Sequence, residues 1–173
     1  MALIRPNNRA LQNITTLPSG VSSDYLASDA DIGKVLQVVQ DFETSGSNST
    51  SLGTWVDSGT FASITPSSTS SKILIIANFG FSVRHSSGTG PYGYTRCYRN
   101  TASTIIGGSN IKYIDAAGVS NNENHSMQSF IFLDSPSTTS STLYKMQYQI
   151  VGGTHAYWNY GSDSTITLLE IAG

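Results

Sequence analysis

The chain has 173 residues, enough for one domain with an appended segment and a core that needs no disulfide or metal. Charged residues make up only 12% and the formal net charge is −2, which argues against nucleic acid as a partner; the 38% hydrophobic content argues against a disordered chain. No apolar run reaches the roughly 20 residues of a membrane span, so no membrane partner is expected.

Residues 1–33 read as an N-terminal arm. They carry Pro6, Pro18 and Gly20 and no sustained period. Arg5 and Arg9 are its early charges, and Leu3, Ile4, Leu11, Ile14 and Leu17 its apolar contacts. Asp24–Asp31 suits a single helical turn. Lacking a core of its own, the arm is expected to anchor the protein to a neighbouring subunit or a larger assembly. The opening residues lack the apolar run of a signal peptide, and Cys97 is the one cysteine, so folding in a reducing cytoplasm is expected.

From Lys34 to Gly173 the signals are β. Lys34–Gln40 reads as a first strand and 41–53 as a polar loop. Thr54–Asp57 and Thr60–Ile64 read as two short paired strands. Residues 72–84 form a long apolar strand, and Tyr92–Arg99 alternates after a Gly-rich turn. Gly107-Gly108 separates 104–106 from 110–114 as a hairpin would. Residues 115–125 read as a loop, and 126–133, 142–151, 155–160 and 164–171 as further strands. A small-polar loop opened by Pro precedes a long strand twice, at 65–71 and at 135–141. That echo predicts two strands in related places. Short strands with frequent turn signals predict an all-β, jelly-roll-type sandwich over 34–173.

Candidate chemistry is sparse. His85, His125 and His155 lack the close pair typical of a metal site, so no metal or other cofactor is expected. No Gly-x-Ser-x-Gly elbow marks a nucleophile. Asp115, Glu123 and Asp134 bracket one loop, as paired glycosidase carboxylates would, but read more simply as scattered solubilising acids. No catalytic residue is assigned. Tyr92, Tyr94, Arg96 and Tyr98 share one strand face by period 2, which suits an interface, a sugar-binding surface or an ordinary core edge. Tyr157, Trp158 and Tyr160 form a second aromatic cluster, suited to line a ligand groove or to plug the end of the sandwich.

Several segments carry a resemblance. They are Pro6–Asn8 with 13–20, Gly33–Val39, Ile64–Leu74, Leu133–Ser141 and Ile166–Ile171. In these the chain resembles small tail-fibre-like and capsid-decorating virion proteins of marine and cyanobacterial tailed phages. Residues 84–125 and 152–163 match least. The resemblance implies a β-sandwich, usually trimeric, outside a phage particle, and transfers no catalytic residue. The expectation is a non-enzymatic virion protein made in the host cytoplasm. Its partners would be itself, as a homotrimer built through the sheet holding 142–151 or 164–171, and the major capsid protein or another virion protein. Decoration of the capsid competes with a tail-fibre tip that holds a host glycan through its loops. A soluble lectin or glycan-trimming enzyme is a third class.

Overall fold

The computed structural model describes residues 33–85, 92–107, 122–159 and 161–173, with the backbone alone at 85, 102 and 122–124. The arm residues Leu3, Ile4, Arg5, Arg9, Leu11, Ile14 and Leu17 therefore fall outside the described residues, as do the turn 24–31, the second half of the 104–114 hairpin, Asp115 and Tyr160. The described chain forms β1 (Val35–Glu43), β2 (Ser47–Ser49), β3 (Trp55–Ile64), β4 (Lys72–His85) and β5 (Tyr92–Arg99). It continues through β6 (Thr104–Gly107), β7 (Asn122–Asp134), β8 (Thr142–Gly152), β9 (His155–Trp158) and β10 (Ser164–Ile171).

Two antiparallel sheets pack as a sandwich. In the first, β1 pairs β10, β10 pairs β4, and β4 pairs β7. In the second the order is β3-β8-β5-β6. β9 takes over the edge of β4 beyond the end of β10, and β2 pairs β9. With these two short strands set aside, first pairs with last and so inward: β1 with β10, β3 with β8, β4 with β7, β5 with β6. A long antiparallel hairpin rolled up in this way is a jelly roll. The echoed strands do occupy related places: β4 and β8 are each interior to their own sheet.

Alternation explains the core. Ile73, Ile75, Ala77, Phe79, Phe81 and Val83 point inward from β4 and are all buried. Tyr144, Met146, Tyr148 and Ile150 do the same from β8. Trp158 stacks on Phe79 at 4.0 Å between ring centroids and on Tyr148 at 5.9 Å, and Phe79 meets Phe130 edge-on at 5.1 Å. Aromatic side chains thus fill the space between the sheets. Gly107 admits Phe132 where a Cβ would collide with its ring, which lets β6 close over β7.

Three sequence expectations need correction. Residues 55–64 are one strand, not two paired ones: both stretches of β3, Trp55–Asp57 and Phe61–Ile64, pair with β8, and the register shifts between them. Gly59, at φ +88°, supplies the backbone conformation of that bulge, so its turn-like signal marked a bulge and not a hairpin. The 41–53 loop is interrupted, because β1 runs on to Glu43 and Ser47–Ser49 pairs with β9. Residues 122–125 belong to β7 and continue its ladder with β4.

Both echoed loops sit at one end of the sandwich, the first around the buried carboxylate of Glu170 and the second next to the partly buried Asp134. Glu170 is fully buried and accepts from Ser67 N (2.6 Å), Ser67 Oγ (2.6 Å), Ser71 Oγ (2.7 Å) and Gln37 Nε2 (2.6 Å). Burial alone would raise its pKa, but these donors hold it down at about 2. Asp134, flanking the second loop, accepts from Arg99 Nη1 and Tyr144 OH at 2.7 Å each. At this same end Gly33 N donates to Ala172 O and Ala172 N to Lys34 O, both at 2.9 Å, so the described chain begins here.

Candidate functional site

The outer face of the β3-β8-β5-β6 sheet gathers the Tyr-Arg strand. Gly93, Thr95 and Cys97 point inward and are buried, so Tyr92, Tyr94, Arg96 and Tyr98 point outward together. Tyr92 and Tyr94 meet edge-on with centroids 6.0 Å apart. The Arg96 guanidinium lies 4.0 Å over the Trp55 ring and 5.3 Å over Tyr98. Its Nε donates to Gln147 Oε1 at 2.7 Å, and Gln147 Nε2 donates to Asp57 Oδ1 at 2.6 Å. Lys145 Nζ completes the network on Asp57 Oδ2 at 2.8 Å. Burial raises the pKa of Asp57, yet the bonds from Lys145 and Gln147 outweigh it and leave the carboxyl below its ordinary value. The result is a pre-organised aromatic and hydrogen-bonding surface, suited to stacking on a planar or sugar ring or to an interface.

Sequence reading missed Trp55, Asp57 and Gln147 here. Period 2 along β8 places Lys145, Gln147 and Gln149 on one face, which was legible. On β3 the alternation runs unbroken through Gly59, with Ser58, Thr60, Ala62 and Ile64 buried, but reading 54–64 as two short paired strands separated Trp55 and Asp57 from it.

In the second aromatic cluster Trp158 does not reach the surface. Trp158 has no exposed surface, and its Nε1 donates to Thr60 Oγ1 at 2.9 Å inside the core. As a candidate glycan contact Trp158 is therefore corrected to a core residue. Tyr157, one position on, is half-buried and stacks on His155 with centroids 5.9 Å apart. It lies in the other sheet from the Tyr-Arg face, so the two clusters do not form one site.

Asp134 is occupied by Arg99 and Tyr144, which removes it from the suggested carboxylate pair. Cys97 is buried, and desolvation pushes its thiol up to about 12, so it behaves as a small apolar side chain. Among the described residues no group of three or more His, Cys, Asp or Glu converges on a metal position. A shallow pocket of about 230 Å³ is lined by Phe81, His125, Met127 and Ser162.

The described parts of segments 84–93, 115–125 and 152–163 meet at the end opposite Gly33. There Arg84 pairs with His155 and Glu123, and Tyr92 with Gly152. The length of β4 separates the two ends by about 40 Å.

The fold defines this chain as a jelly-roll β-sandwich protein. No protein-family model and no curated protein matches its sequence. Among solved structures it is similar to the VP2 subviral particle of infectious bursal disease virus, at 16% identity and a TM-score of 0.47, over 79% of this chain and 33% of that one. It is similar also to the Gx strain of that virus, at 13% identity and a TM-score of 0.38, over 79% of this chain and 38% of that one. Dimeric latent PorU from Porphyromonas gingivalis matches at 10% identity and a TM-score of 0.40, over 83% of this chain and 13% of that one. The chain thus spans well under half the length of these proteins.

Proposed function

We propose that this chain is a non-enzymatic structural protein on the exterior of a bacteriophage particle, a homotrimeric decoration or cement protein whose N-terminal arm docks on the capsid shell. The observation that carries this reading is the polarity of the sandwich. Segments Gly33–Val39, Ile64–Leu74, Leu133–Ser141 and Ile166–Ile171 converge at the Gly33 end, braced by Glu170 and Asp134. Those are the segments that resemble phage virion proteins. Of the segments that depart from the resemblance, residues 84–85, 92–95, 122–125 and 152–157 lie toward the far end, while 99–104 return to the Gly33 end beside Asp134. A protein that docks one end on a shell and turns the other outward needs this arrangement. The arm's early charges, Arg5 and Arg9, suit docking on an acidic shell. Immunogold labelling of purified particles tests the placement: label spread over the capsid supports decoration, and particles without label sink the virion reading.

A second reading, a tail-fibre or receptor-binding tip, draws on the Trp55, Arg96 and Tyr98 surface, which offers stacking rings beside hydrogen-bonding groups as a host glycan would require. Label confined to the tail favours it.

A further inference from the structure

The outer face of the β1-β10-β4-β7 sheet is of opposite character to the Tyr-Arg face. Register aligns Val38, Leu169, Leu74 and Leu133 in one row across all four strands. The next row is Gln40, Thr167, Ile76 and Ile131, and the third Phe42, Thr165, Asn78 and Ser129. From Leu74 to Ser82 along β4 and at the facing levels of its neighbours, the outward positions hold no Asp, Glu, Lys or Arg. The apolar side chains at the two lateral edges are the most exposed: Val38 58% and Phe42 57% on β1, Met127 63%, Ile131 66% and Leu133 58% on β7. A contiguous apolar face depleted of charge is the composition of an interface core.

We infer that this face is covered by further copies of the same chain, three sheets enclosing a threefold axis that runs along the strands. The inference rests on the trimeric reading above and adds the surface and its geometry. An uncharged face meets its own copy with no like-charge penalty. Four strands at about 4.8 Å make a face about 19 Å wide; three such faces form a triangular prism whose sheets stand about 5.5 Å from the axis, close to half the roughly 10 Å spacing of packed sheets. The side chains of three copies therefore fill the prism without a void. Its corners bring the β1 edge of one copy to the β7 edge of the next, where the exposed apolar residues lie. Each face offers about 19 by 30 Å, on the order of 600 Å² before side-chain relief is counted, against about 800 Å² per partner in a standard interface. An axis along the strands also sends every Gly33 to one end and every Arg84 to the other.

Multi-angle light scattering on the full chain at micromolar concentration tests this. The expected mass is three times the 18.4 kDa chain. Ile131→Asp with Leu133→Asp should give the mass of one chain with an unchanged circular dichroism spectrum, since both residues are exposed in the single chain. Phe61→Asp, on the opposite sheet, should keep the mass of three. A wild-type monomer or dimer, or a double variant that remains trimeric, overturns the interface. Particles that carry no immunogold label would sink the virion reading and leave a measured trimer standing.

Discussion

Trp158 on β9 donates its indole N–H to Thr60 Oγ1 on β3 at 2.9 Å, and this buried bond crosses from one sheet to the other. It gives the tryptophan the partner that a buried indole needs, and Thr60 stands inward because β3 alternates through the buried Ser58, Thr60, Ala62 and Ile64.

Trp158→Ala should accordingly destabilise the fold by about 3–5 kcal/mol, as large aromatic truncations in cores do. Thr60→Val should cost about 1–3 kcal/mol, because it strands the buried N–H while keeping the side-chain volume. Urea denaturation measures both. A Trp158→Ala protein with wild-type stability would mean that the ring is not the core element described.

Glu170 makes stability depend on acid. Its folded pKa, about 2, lies below the ordinary 4.5, so its stabilising contribution is complete above pH about 4.5 and is lost as pH falls toward 2. Glu170→Gln replaces an acceptor-only group with an amide whose NH₂ faces Ser67, Ser71 or Gln37. We expect a loss of about 2–4 kcal/mol at pH 7 that shrinks steadily below pH 4.5. A gap between wild type and variant that stays constant from pH 7 to pH 2 refutes this account.

Much of this architecture is legible in the residues. The Tyr-Arg strand and the closing strand have the predicted bounds, because strict alternation leaves one register available. The long apolar run of 72–84 announces an interior strand. What the residues hide is long-range. Glu170 looks like a terminal solubilising acid, and only the fold brings Gln37, Ser67 and Ser71 around it. Trp158 reads as one of three near-neighbouring aromatics in the predicted strand 155–160, and only the fold shows that Ala156 and Trp158 are its buried alternation. The serines of the two echoed loops read as low-complexity filler, whereas Ser67 and Ser71 satisfy a buried charge.

The arm can be tested apart from the body. Residues 34–173 hold the whole described core, so deleting residues 1–20 should leave the thermal midpoint within about 2 °C of wild type. On the proposed function, the same deletion abolishes attachment to the particle. Quantitative immunoblotting of particles assembled with the truncated chain reads this out. Full occupancy by the truncated protein would show that the anchor lies in the body.

The Tyr-Arg face decides between decoration and receptor binding. Trp55, Arg96 and Tyr98 are held in place by stacking and by the Gln147–Asp57–Lys145 network, so a ring that binds there meets a surface already ordered. If the chain holds a host glycan, Trp55→Ala and Arg96→Ala should each weaken binding at least tenfold on a glycan array, and Tyr157→Ala, in the other sheet, should not. Asp57→Asn should weaken it less, since the amide still bridges Gln147. All four substitutions, at exposed or half-buried outward positions, should leave folding within about 1 kcal/mol of wild type, because they remove surface contacts and not core volume. A wild-type protein that binds no glycan sinks the receptor reading and leaves this face as an outer surface of a decorated particle.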